Sequence, residues 1–173
     1  MTYSRGFVRQ LFISLISLIL AVPGFVQGTT LQKLSIDRLI GEADLIVRGR
    51  VEELKTRQAP DRRFITTIIT LSVQTQFKGP EVSSITLEQP GGAMGDVAQR
   101  VPGLAEFSKG EDVVLFLKRQ RGDLFNTVNG KQGKFTIKTE RETGKEIVED
   151  FAHRAEALDD FLSRVKSMIN VPR

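Results

Sequence analysis

The chain holds a single histidine, His153, and no cysteine. That composition excludes thiol catalysis, cysteine-ligated zinc and haem attachment through CxxCH, and one histidine cannot build a His-rich metal centre within one chain. General acid–base work needs paired carboxylates in a pocket that shifts their pKa values. Asp44, Glu52, Glu53 and Glu88 are spaced as strand-end or solvent-facing residues, and Asp159-Asp160 falls on the polar side of a terminal helix. No Gly-x-Ser-x-Gly elbow is present to present a serine nucleophile. Gly91-Gly92-Ala93-Met94-Gly95 has the glycine content of a phosphate-cradling loop, but no Gly-Lys-Ser/Thr follows it. Gly130-Lys131-Gln132-Gly133-Lys134 has the same deficiency and reads as a hairpin with lysines at its rim. No catalytic residue, cofactor or metal ligand is therefore assigned, and a non-enzymatic protein is expected.

The chemistry left to these residues is contact. Met94 is a pliable apolar side chain on a glycine-rich loop, and with Gly91, Gly92 and Gly95 it is a candidate partner contact. The alternative is a loop folded over the end of the sheet. Arg48 and Arg50, pointing outward from one strand, are the other candidates. The 25 basic and 21 acidic residues include Arg5 and Arg9, so from Thr29 onward the balance is only +2. That is too even to argue for nucleic acid, and Trp is absent while Tyr3 is the lone tyrosine, so no stacking platform accompanies the charge.

Strands must position the candidate contacts. In Ala43–Glu53, Leu45, Val47 and Val51 share one face with Gly49 between them, and Ile46, Arg48, Arg50 and Glu52 share the other. The pattern predicts a half-buried strand of an antiparallel sheet or small barrel. Residues 55–63 read as its hairpin loop. A long strand follows over Phe64–Phe77, with Ile69, Leu71, Val73 and Phe77 on one face and β-branched Ile65–Ile68 favouring extended backbone. Lys78-Gly79-Pro80-Glu81 turns the chain, and Val82–Gln89 returns it with Ile85 and Leu87 inward. Residues 90–110 predict a long irregular loop holding one short strand at Val97–Val101; loops of that length are often functional. Val113–Leu117, apolar on both faces, is expected to be the most buried strand. Lys118–Asp123 is a charged turn, Leu124–Val128 a strand, Asn129-Gly130 a tight turn, Lys134–Ile137 a strand, and Glu142–Lys145 a hairpin turn before Ile147 and Val148.

Helices are expected at both ends. Residues 29–42 read as a short helix with Ser35 available as a cap. Glu149–Ile169 carries Phe151, Ala155, Leu158, Leu162, Val165 and Ile169 in steps of three and four, an amphipathic stripe that must pack on something. Packing across the sheet is the simpler reading, a partner groove the alternative.

Residues 1–28 carry Arg5 and Arg9, the apolar run Leu11–Val22, then Pro23, Gly24 and Val26-Gln27-Gly28. That order is a secretory signal peptide, and its apolar run is shorter than the roughly 20 residues of a spanning helix. An uncleaved anchor is the alternative. The expectation is a secreted or periplasmic protein of bacterial type, with no membrane association after cleavage and one domain from residue 29 to 173. A disulfide-free exported domain must be stabilised by its core. The alternative to a binding module is a structural or small-ligand-carrying envelope protein without a dedicated protein partner, and oligomeric state is not indicated.

Ala43–Val51, the Thr-rich strand ending Gln76-Phe77-Lys78-Gly79-Pro80-Glu81, and Gly110–Leu117 occur in an order that resembles the N-terminal domain of the tissue inhibitors of metalloproteinases and the wider netrin-like modules. With Pro90-Gly91-Gly92, Val101-Pro102-Gly103 and Gly133-Lys134-Phe135, the order is also similar to a group of uncharacterised exported bacterial proteins. The similarity covers roughly Ala43–Ile137. It implies a mainly β fold: an OB-like Greek-key barrel of about five to six strands, flanked here by the two helices. It also implies extracellular protein binding, with a secreted protease as one such partner. The eukaryotic inhibitors present an N-terminal cysteine to the protease zinc; this chain has none, so that wedge is not carried over.

Overall fold

Two fourteen-residue strands, β1 (Leu45–Gln58) and β2 (Ile65–Lys78), form the antiparallel ribbon on which the mainly β fold is built. The structure, a computed structural model, describes residues 33–58 and 65–170. The signal-peptide reading, the start of the first predicted helix and part of the first predicted loop lie outside them. β3 (Ser84–Pro90), β4 (Gly92–Met94), β5 (Val97–Gln99), β6 (Asp112–Arg119), β7 (Leu124–Thr127), β8 (Lys134–Thr139), β9 (Glu146–Glu149) and β10 (Ala155–Ala157) follow, with helices α1 (Ile36–Glu42) and α2 (Leu158–Ile169). There are ten strands among the described residues; β4 and β10 occupy segments expected as loop and helix.

β1 pairs with β2 and β2 with β3; β3 runs parallel to β7, β7 pairs with β6, and β6 returns to β1. Five strands thus complete a circuit of pairings, and β8, β9 and β10 extend the sheet outward from β6. Alternation sends each strand's residues into one of two cores. Leu45, Val47, Val51, Ile69, Leu71, Ile85, Leu87, Leu115 and Phe125 pack inside the circuit. Ile46, Val114, Phe116, Phe135, Ile137 and Val148 pack outside it, beneath Leu39 and Ile40 of α1 and Leu158, Phe161 and Val165 of α2. Burying each large side chain contributes about 1.5–3 kcal/mol. Val113 through Leu117 are all fully buried, since β6 separates the two cores.

That second core corrects several readings. Ile46, expected on the solvent face with Arg48 and Arg50, is fully buried because the helices cover that end of β1. Phe77 leaves the face of Ile69, Leu71 and Val73 and packs on the outer core; register shifts at Ile46/Val47 and Arg48/Gly49 move it across. β1 runs on to Gln58, so residues 55–58 are strand rather than loop. The terminal helix begins at Leu158, not Glu149. Ile147 and Val148 ladder with β8, and the Asp150 carboxylate accepts from the backbone N–H of Ala152 (2.8 Å) and Arg154 (3.1 Å), local bonds that compete with helix. His153 therefore sits in this turn, at φ 59°, not on a helix.

The motif residues behind the resemblance meet in space. Lys78 Nζ donates to the carbonyls of Ile40 (2.7 Å) and Ala43 (2.6 Å), neutralising the C-terminus of α1. Gly79 has φ +97°, and a Cβ there would lie 2.6 Å from the Asp44 carbonyl. Asp44 Oδ2 in turn accepts from Arg119 N (2.8 Å). At the other end of α1, Ser35 Oγ accepts from Arg38 N (3.3 Å), capping the first turn.

Candidate functional site

The segment between β3 and β6 doubles back as a hairpin at one end of the sheet. Gly91 N donates to Ile65 O (2.6 Å), Thr67 Oγ1 to Gly91 O (2.7 Å), and Ile65 N to Gln99 Oε1 (2.9 Å), fastening both hairpin feet to β2. Gly92, at φ +130°, lies so close to Thr67 that a Cβ would strike the hydroxyl. Gly91 and Gly92 are thus required by backbone approach, and Gly91 is buried. From there Ala93 pairs with Ala98 and Met94 with Val97 across a two-residue turn, Gly95-Asp96. Gly95 has φ 59°, which suits the first position of a hairpin turn.

Met94 and Val97 stand side by side at this tip, 41% and 61% exposed, the large hydrophobic residues most open to solvent among those described. The fastened two-strand arm thus holds an exposed apolar pair at its tip. Beneath it lies an open cleft of about 370 Å³. Leu54, Thr56 and Thr67 form one wall, Val101, Leu104 and Phe107 the other, and the Arg100–Glu106 ion pair (3.2 Å) crosses the exposed rim. The far wall is held in place from below. Lys134 Nζ pairs with Glu111 Oε1 (2.6 Å), which also accepts from Thr136 Oγ1 (3.0 Å), and Ser108 N donates to Glu111 Oε2 (3.1 Å).

Arg48 and Arg50 are elsewhere. Thr56 borders Gly92, while the two arginines lie eight and six residues back along β1, roughly 20–26 Å of strand. Arg48 Nη2 pairs with Glu146 (2.7 Å), and its Nε is buried without a hydrogen-bond partner among the described residues; Arg50 approaches Asp112 at 3.8 Å. The six candidate contacts therefore divide into two groups that the fold does not join. Val97, the exposed neighbour of Met94, is not among those candidates. Its signal was the Gly-Asp dipeptide, a hairpin step obscured because the flanking strands have only three residues each.

A second hollow of about 380 Å³ lies between the start of α1 and α2, floored by Leu39, Phe135 and Val148. Its rim is charged but paired: Lys33–Asp150 (3.0 Å), and Arg164 bidentate to Glu156 (2.7 and 2.8 Å), a bond that raises the guanidinium pKa further. Glu149 nearby is bonded by Lys138 (2.8 Å) and His153 (2.9 Å), which hold its carboxyl below the usual range. No group of three or more acidic or histidine side chains that could hold a metal ion occurs among the described residues. Asp159 and Asp160 sit exposed in the first turn of α2, where they favour the helix dipole. No protein-family model matches the chain, and the search of curated proteins gave no significant match.

Proposed function

We propose that this is an exported, non-enzymatic binding module that engages another protein of the envelope or extracellular space through the β4–β5 hairpin. The observation that carries the reading is the Met94–Val97 pair, exposed on an arm that three hydrogen bonds fasten to β2. The two side chains adjoin across the hairpin, so they offer one small continuous apolar contact on a fixed projection. The leader-like first 28 residues support export.

The domain is an OB-like Greek-key barrel of the netrin-like type. The circuit β1-β2-β3-β7-β6, with parallel β3–β7 and a return to β1, supports that topology. So does the contact between the Ala43-Asp44 and Lys78-Gly79 steps. A secreted protease is the partner class this likeness favours, without the cysteine wedge. Affinity capture from the envelope fraction, with the wild type and a Met94→Ser/Val97→Ser double variant as parallel baits, tests the reading. A specific partner lost by the variant is expected; identical recoveries would overturn it.

A second reading, a small-ligand carrier, draws on the hollow between α1 and α2, whose volume is in the range that encloses small molecules. Native mass spectrometry of protein purified from its host would show a bound mass under that reading.

A further inference from the structure

The β6–β7 turn projects from the sheet separately from the β4–β5 hairpin. Its residues are Arg121-Gly122-Asp123. Leu124 N donates to Arg121 O (3.1 Å) and Gln120 N to Leu124 O (2.9 Å), closing the turn, while Gly122 takes φ 59° with no atom near its missing Cβ. Arg119 clamps it: one Nη donates to the Gly122 carbonyl (2.9 Å), and the guanidinium lies over the Phe125 ring at 4.8 Å. Phe125 is itself buried in the inner core, so the turn is braced to the fold.

This brace leaves the outer groups open. Arg121 is exposed. The Asp123 side chain is fully exposed, and its contact with Arg119, at 3.6 Å, is longer than a charge-assisted hydrogen bond. By contrast Glu88, Glu146 and Glu149 are held at 2.7–2.8 Å by their cations. A carboxylate so placed keeps lone pairs for a hard divalent cation, whose shell takes oxygen ligands. A guanidinium two residues away offers a planar fork to carboxylates.

We propose that this turn is an adhesive tip. It is recognised by a cell-surface receptor whose own divalent cation takes the Asp123 carboxylate and whose acidic pocket takes the Arg121 guanidinium. The biological role rests on the export proposed above, but binding by purified protein does not, so the two can fail separately. The test coats wells with the protein, purified from its host, and measures attachment of suspended fibroblasts in magnesium buffer. Attachment is expected above an albumin control and is expected to vanish in EDTA. Asp123→Glu keeps the charge but moves it outward; it and Arg121→Gln should each raise the required coating dose roughly thirty-fold, the size of an interface hot spot. Asp159→Asn, at an exposed position on α2, should leave attachment unchanged. All variants should melt with the wild type, since the altered groups are exposed. Attachment no better than albumin, attachment that survives EDTA, or attachment indifferent to Asp123→Glu would each overturn the proposal. Salt-sensitive, cation-independent attachment would point instead to a polyanion on the basic Lys118–Arg121 run.

Discussion

Replacing Lys78 by methionine keeps the aliphatic stem and removes only the ammonium. That ammonium donates at 2.7 and 2.6 Å to the carbonyls of Ile40 and Ala43, at the end of a seven-residue helix. A helix so short is not stable alone and depends on its ends and its packing. Hydrogen bonds to a charged group each contribute about 1.5–3 kcal/mol in favourable cases, and the helix-end charge adds about 0.3–1 kcal/mol. The site is part-buried rather than buried, and water replaces some of what is lost, so a destabilisation of about 2–4 kcal/mol is expected. With a urea m-value of about 1–3 kcal/mol/M, the midpoint should fall by roughly 1–2 M. Hydrogen exchange should also show α1 amides opening before those of β6. A loss under about 0.5 kcal/mol, with α1 protection unchanged, would refute the assignment of Lys78 as the tether between α1 and the β2 end.

Gly79→Ala forces a side chain to φ +97° against the Asp44 carbonyl and should cost about 2–4 kcal/mol by the same urea measurement. Lys134→Met leaves Glu111 part-buried without its cation, and should cost about 2–3 kcal/mol and increase proteolysis between Gly103 and Gly110. Glu149, whose carboxyl is held below its ordinary 4.5 first by the Lys138 bond and then by His153, adds stability that is present above the unfolded value and lost as pH falls through the lower folded value. Glu149→Gln should therefore be less stable than wild type at neutral pH, with the gap closing below pH 4.5 in acid titrations followed by circular dichroism.

Strand existence was legible wherever β-branched residues alternate, as in Ile65–Phe77 and Val82–Gln89, and β6 declared itself by being apolar on both faces. Topology was not legible from alternation. It rested on the ordered Ala43-Asp44 and Lys78-Gly79 steps, which touch in space yet lie 35 residues apart in sequence. Period-two patterning gave Ile46 the same face as Arg48, and it does not reveal that the preceding α1 and the distant α2 cover Ile46 and not Arg48. The terminal helix was overextended because Phe151 and Ala155 keep a helical spacing, while the decisive signal, the Asp150 side chain bonding its own downstream backbone, is polar and local. At the candidate site the glycines of residues 91–95 belong to a hairpin rather than to an irregular loop. Gly92 serves the close approach to Thr67 and Gly91 that to the Gln99 carbonyl, and the exposed apolar pair is Met94 with Val97. Arg48 and Arg50 looked free because an outward charge in a sequence has no visible partner; Glu146 comes from another strand, almost a hundred residues on.

Partner engagement through the hairpin is tested most directly by a photo-reactive amino acid placed at Val97 in the exporting cell, with the same probe at exposed Asp159 on α2 as control. One discrete cross-linked species is expected from position 97, absent from position 159 and diminished by Met94→Ser. No adduct at position 97, or the same adducts from both positions, would contradict it.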